Sequence, residues 1–214
     1  MDLRSVFSVD VFAPADGQFC AGTDRTSGRA SCAGYVSDDA NPSRYAWVGW
    51  LKKLGANKRG RQVIDVLKQQ IEADEGRVNA VYLDTHQLKT AGVGHLLVEN
   101  KDPEYDWPVG APVTHERVEE WFDADIKTTL NECCWLIDDF EQLPEEVQLI
   151  VANMMFNLGR PRLSLFVKFL DALHKREWET CAVEMADSNW HRQVQNRSGR
   201  LIQRMLDVAK SGDK

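Results

Sequence analysis

The sequence predicts an α+β chain, mostly helical and carrying one small β element. Two observations lead to this. Apolar residues recur at helical spacing through most of residues 61 to 209. One stretch, "EGRVNAVYLDTHQLKTAGVGHLL" at 75 to 97, drops that period for β-branched, aromatic and alternating residues. A long helix, a small sheet and a mostly helical remainder give the α+β class with a minor sheet.

The elements can be justified in order. Residues 1 to about 45 are rich in Gly, Ser, Ala, Asp and Asn, and "VFSVDVF" alternates like a strand. "RYAWVGWLKKL" (44 to 54) is amphipathic. Its Trp47 and Trp50 suit a short helix packing aromatics on the main body, or a surface on which sugars stack. "GANKRGR" (55 to 61) reads as a basic linker. From Arg61, Val63, Ile64, Leu67 and Ile71 fall on one helical face, and Gly76 offers the stop. "RVNAVYLD" is then a strand, "THQ" a turn and "LKTAGVGHLL" the returning segment of a hairpin. After a turn-rich connection (99 to 112), Thr114 is placed to cap a helix with Glu116 early in it. Val118, Trp121, Phe122, Ile126, Leu130 and Cys133 form its core-facing stripe. Pro144 opens the next helix and Gly159 ends it. Further amphipathic runs cover about 163 to 173, 176 to 187 and 195 to 209.

Composition bounds the function. The chain has 214 residues, 43% hydrophobic and 28% charged, enough for a buried core. It holds no apolar run of about 18 residues, so no membrane span is expected. The net charge is −7, with 8 basic and 6 acidic side chains in residues 1 to 60 and 18 and 27 in the rest. That balance argues against nucleic acid or an anionic membrane as partner. Met1-Asp2-Leu3-Arg4 lacks the basic start and apolar region of a signal peptide. Cys20 and Cys32 bracket a polar loop that can close as a disulfide ring or stay as free thiols. The ring would tilt the expectation toward an extracellular product. Cys133 and Cys134 read as free thiols in a helix. No cysteine pair has zinc-ligand spacing, and no metal or cofactor is expected.

The chemistry gathers in the stretch that changes period. A helix ending at Glu75 and feeding straight into a hairpin puts that carboxyl at a junction, beside whatever the hairpin projects. The negative end of a helix dipole in a walled cleft suits a proton donor, and Asp84 on the more open hairpin suits an ionised partner. Thr90 adds a hydroxyl able to hold a water against Asp84. Carboxyls in such unlike settings can divide acid and base work on a glycosidic bond. The same residue types at these spacings also serve as ordinary helix ends and turns.

The gapless order Glu75-Gly76, Val81-Tyr82, Asp84-Thr85, Thr90 and Gly92-Val93-Gly94-His95-Leu96-Leu97 resembles the active-site segment of the phage-type lysozymes, glycoside hydrolase family 24. "NMMFNLG" (153 to 159) is similar to that family's central buried helix; "REWETCAVEMADSNW" (176 to 190) and "QNRSGRLIQRM" (195 to 205) are similar to its closing helices. The resemblance covers about residues 61 to 210. It implies a two-lobed monomeric muramidase that cuts the β-1,4 bond between N-acetylmuramic acid and N-acetylglucosamine in bacterial peptidoglycan. Carried over, Glu75 is the general acid, Asp84 the base or electrostatic partner, and Thr90 positions the water. The family is described as inverting, which implies carboxyls roughly 6.5–9.5 Å apart. Leu96, Phe156 and Asn157 match substrate-cleft positions. His95 matches a residue that holds a carboxylate across the lobe, and Arg197 one that pairs with the catalytic glutamate.

Departures accompany the match. Phe169 and Glu184 stand where the family commonly has a small hydroxyl residue and an asparagine near the distal sugar subsites. The connection between lobes is shorter than in the best-known members, and the charge of −9 over 61 to 214 contrasts with the basic character of many wall-lytic enzymes. Residues 1 to 60 lie outside the resemblance, as a wall-binding or stabilising extension to a catalytic unit at 61 to 214. A phage endolysin, a bacterial remodelling or toxin enzyme and an animal antibacterial protein all fit; a phage product would sit in host cytoplasm before release. Two alternatives stand beside hydrolysis: a lysozyme-like protein that binds glycan without cutting it, and metal-dependent hydrolysis through Asp84, His86 and His95.

Overall fold

The structure is a computed structural model and describes residues 58–212. Trp47, Trp50, Cys20, Cys32 and the strand-like "VFSVDVF" lie outside the described residues. Seven α-helices and one three-stranded sheet make up the described part: α1 (Lys58–Glu75), β1 (Val78–Leu83), β2 (Lys89–Gly92), β3 (His95–Leu96), α2 (His115–Leu136), α3 (Glu145–Leu163), α4 (Val167–His174), α5 (Trp178–Ala186), α6 (Asn189–Gln193) and α7 (Gln195–Ser211). This is the α+β class expected, helical with a small antiparallel sheet.

α1 starts at Lys58, so residues 58 to 61 of the expected basic linker are helical, and Gly60 is buried. Basic side chains and a glycine mask a helix start when no apolar residue marks the face. The other end is as expected. Gly76 takes a left-handed backbone (φ 76°) and its N–H returns to the Glu72 carbonyl at 2.9 Å, closing the helix directly after Glu75.

The returning segment is not one strand. β2 and β3 pair antiparallel with each other, so the expected hairpin is a three-stranded meander in the order β1-β2-β3. The second reversal needs Gly92 and Gly94 at φ 65° and 74°, a backbone that branched residues avoid. Tyr82 pairs with Thr90, and Thr90 with Leu96. Directly paired residues share a face, so these three side chains form a row across the sheet. The alternate residues Val81 and Ala91 point the other way. With Leu97, Val113, Val118 and Trp121 they make a small apolar cluster under the sheet.

The larger cluster lies among the helices. Thr114 caps α2 as expected, its hydroxyl accepting from the Arg117 N–H. The stripe from Val118 to Cys133 is buried throughout. Through Val118 and Trp121 this helix serves the small cluster, and through Phe122, Ile126, Leu130 and Cys133 the large one. α3 begins directly after Pro144 and is buried on nearly every side, from Val147 to Leu158, which makes it the central helix. Gly159 breaks its helical path at φ 69°, ψ 159°, and a further turn runs on through Pro161 to Leu163. α1, α2 and α7 all pack against α3, and α5 packs against α7. Cys133 and Cys181 are buried free thiols; burial pushes the Cys181 thiol up to about 12. Among the described residues no helix is long and apolar enough to cross a membrane.

Candidate active site

Three helices converge on the end of α1. Glu75 is its last residue and its side chain is only 7% exposed. Arg197, in the first turn of α7, is 2% exposed and its Nη1 donates to Glu75 Oε1. Asn153, on the central helix, accepts from Arg197 Nε through its side-chain oxygen at 2.7 Å. Its Nδ2 donates to Asp74 Oδ2 at 3.2 Å. Arg197 Nε also lies 3.3 Å from Asp74 Oδ2, and Arg200 Nη2 donates to Asp74 Oδ1. A buried guanidinium is tolerated only when its charge and donors are met. Here two carboxylates and an amide meet them.

On the sheet side, Asp84 follows β1 and shapes its own turn. Its Oδ1 accepts the backbone N–H groups of His86 and Leu88, both at 2.8 Å, the usual role of an aspartate in a turn. Thr90 is buried on β2, and its hydroxyl donates to the Leu88 carbonyl at 3.2 Å. Tyr82 lies on β1, between the two acids in the chain. Burial, together with the charges of Glu75 and Asp84, lifts its phenol to about 12. The Tyr82 side chain stands in the row with Thr90 and Leu96, on the strand that leads to Asp84. Tyr82 belongs to the site although sequence reasoning gave it no role; its only signal was its place in the matching segment, two residues before Asp84.

His95 does not join that row. It pairs with Ala91 on the neighbouring strand, its ring stacks on Trp121 at 4.9 Å, and its Nδ1 meets Asp125 Oδ2 at 2.8 Å. Its Nε2 is 3.7 Å from Asp102 Oδ2, so the imidazole is held between carboxylates at the sheet–α2 boundary. The Asp84, His86 and His95 set is therefore split between the turn and the far face. Among the described residues no three such side chains gather closely enough to hold a metal ion.

Three of the expected substrate-cleft residues fall at a cleft of about 990 Å³ in the helical part. Asn157, Phe169 and Glu184 line it, with Phe166 and Trp190 beside them. Phe166 meets Phe169 and Trp190 edge to face at 6.5 and 6.4 Å. Asn157 accepts from Trp190 Nε1 at 2.7 Å, which leaves its amino group without a protein partner among the described residues. His86 is the cleft's one lining residue from the sheet, two positions from Asp84. Glu75, Asp84, Thr90, Leu96 and Phe156 do not line it, so the expected residues form two groups that approach one another at the His86 turn. Phe156 packs edge-on against Phe122 at 6.3 Å.

No family model matches the chain. Over 158 residues it is 27% identical to "Probable T4-type lysozyme 2" of Dictyostelium discoideum, an alignment spanning 65% of this chain and 93% of the relative. "Probable T4-type lysozyme 1" of the same organism is 25% identical over the same length and with the same shares. The chain is thus similar to proteins named as T4-type lysozymes. A third relative, "Pre-baseplate central spike protein Gp5" of Enterobacteria phage T4, is 24% identical over 159 residues, which are 27% of its own length.

Two further side chains beside Glu75 and Arg197 escaped the sequence reading. Asp74 looked like one more surface acid beside Glu75. Asn153 stands in the apolar run "VANMMFN", where it read as part of a motif and carried no contact of its own. An amide inside a helix that is otherwise buried and apolar is the signal that could have found it, because such a group needs a partner.

Proposed function

We propose that the protein is a peptidoglycan hydrolase, a muramidase cutting the β-1,4 bond between N-acetylmuramic acid and N-acetylglucosamine. The reading rests on one arrangement: a carboxyl at the buried end of α1, paired with a buried arginine, where the chain passes directly into the strand that carries the second carboxyl on its turn. The relatives' names and the cleft beside the turn support it.

In this reading Glu75, when protonated, donates to the leaving glycosidic oxygen as the bond breaks. Asp84 has committed Oδ1 to its turn, which leaves Oδ2 to accept a proton from the attacking water. Thr90 gives its own proton to the Leu88 carbonyl, so its oxygen lone pairs accept the other water proton. The water's lone pair is then free to face the anomeric carbon. Attack from the side opposite the leaving group inverts the anomer and calls for carboxyls roughly 6.5–9.5 Å apart. The glycan would run from the Thr90 and Leu96 row past the His86 turn into the cleft at Asn157, Phe169 and Glu184. There the aromatic floor offers apolar contact to sugar faces and the Asn157 amino group a donor.

The test is Glu75→Gln, which keeps the shape of the side chain and removes the transferable proton. Clearing of a Gram-negative wall suspension should fall by about 10²–10⁴-fold or more with the fold intact. Full activity in that variant would reject Glu75 as the acid. A wild type that pulls down on walls yet releases no reducing ends would favour the binding-only alternative.

A further inference from the structure

A general acid bonded to a buried arginine raises a difficulty, and the residues around Glu75 suggest how it is met. Glu75 must take up a proton to act. If Arg197 had Glu75 as its sole anion, protonation would strand a guanidinium that is 2% exposed, and the protein would resist the step. Arg197 is instead shared. Its Nη1 faces Glu75, while its Nε lies 3.3 Å from Asp74 and 2.7 Å from the Asn153 oxygen. Asn153 bonds both Asp74 and Arg197, so it holds the carboxylate and the guanidinium in fixed register. With Glu75 ionised, Asp74, Glu75, Arg197 and Arg200 sum to zero charge; with Glu75 protonated, Asp74 still neutralises the buried arginine.

We propose that Asp74 is a positioning residue for the acid: by sharing Arg197, through the Asn153 clamp, it lets Glu75 gain and lose its proton without leaving the guanidinium unpaired. This rests on Glu75 being the general acid. Arg200 opposes Asp74, because it donates to Asp74 Oδ1 from a side chain that is 59% exposed. The other charged or titratable groups around Glu75 are Tyr82 on β1, Asp84 on the turn, and the Glu72 and Arg77 pair at the end of α1. Among the described residues the guanidinium pairs with Glu75, Asp74 and Asn153 and with none of these.

The experiment is the pH profile of kcat/KM for reducing-end release from purified peptidoglycan, in wild type, Asp74→Asn and Arg200→Gln. In Asp74→Asn, Arg197 turns wholly to Glu75 and holds it ionised. The alkaline limb, where the protonated acid is lost, should then move to lower pH by about one unit. Activity at neutral pH falls and is regained on acidification. Arg200→Gln frees Asp74 for Arg197 and should move the limb the opposite way; because Arg200 is exposed, this variant decides the matter if Asp74→Asn does not fold. Carboxyl ¹³C NMR of Glu75 in the same proteins should shift with the same signs whether or not walls are cleaved, which separates this inference from the function it rests on. A folded Asp74→Asn whose loss is equal at every pH, or an Arg200→Gln whose limb and Glu75 titration do not move, would overturn it.

Discussion

Arg197 is the residue on which the site's energetics turn. Removing a partner from a buried charge costs about 3–5 kcal/mol, and Arg197 has Glu75, Asp74 and Asn153 around it. Asn153→Ala leaves the Nε donor without its acceptor, and should lower the unfolding free energy by roughly 1.5–3 kcal/mol, the range for a hydrogen bond to a charged group. Urea denaturation would show it as a lower midpoint at unchanged slope. On the sheet side, Asp84→Asn keeps the turn acceptor but removes the proton-accepting charge, so kcat should drop about 10²–10⁴-fold with KM little changed. A steady-state comparison on soluble glycan fragments reads that split. At this scale the sequence offered Glu75, Asp84 and Thr90 as candidates through their order in the matching segment. It hid Asp74 and Asn153, because pairing across 79 residues leaves no periodic trace.

At the scale of elements, the site depends on a helix that stops at one residue and a sheet that turns twice at once. Gly76 stops the helix, and Gly92 allows the second turn. A Cβ at Gly92 would meet Val118 Cγ1 of α2 at 2.9 Å, and φ is already 65° there. Gly92→Ala should therefore destabilise by about 1–3 kcal/mol, from backbone strain and overpacking together. Thermal unfolding would report it, and the Thr90 row next to it should lose activity as well. The α2 stripe and the buried α3 were legible because packing one face or all faces leaves a pattern in the residues. The β2–β3 reversal was not, since Gly92-Val93-Gly94 fits a single returning strand as readily as a turn. The start of α1 was hidden in the same way by Lys58, Arg59 and Gly60, which carry no apolar signal.

Over the molecule as a whole, charge pairs clip the end of α1 to α2. Lys68 reaches Glu119 and Asp123 at 2.7 and 2.6 Å, and Arg77 bridges Glu72 and Glu119. The Arg77 hydrogen bond holds the Glu72 carboxyl below its ordinary value, and the Lys68 hydrogen bond does the same for Glu119. A carboxyl depressed in the folded state stabilises above its unfolded value, and that contribution is lost as pH falls through the folded value. Melting temperature should therefore decline as pH drops below about 4, and the decline should be shallower in Glu119→Gln. The fold class and the helix-to-sheet junction were readable from one change of hydrophobic period, whereas the cleft of about 990 Å³ arises from how the consecutive helices α3 to α6 fold back on one another and meet the His86 turn, which no period in the residues records. All of this matters to function only if the junction cuts glycan. Mass analysis of fragments released from purified peptidoglycan tests that most directly: the account predicts disaccharide-peptides ending in reducing N-acetylmuramic acid, and anhydro-muramic ends, freed peptides alone or no release at all would contradict it.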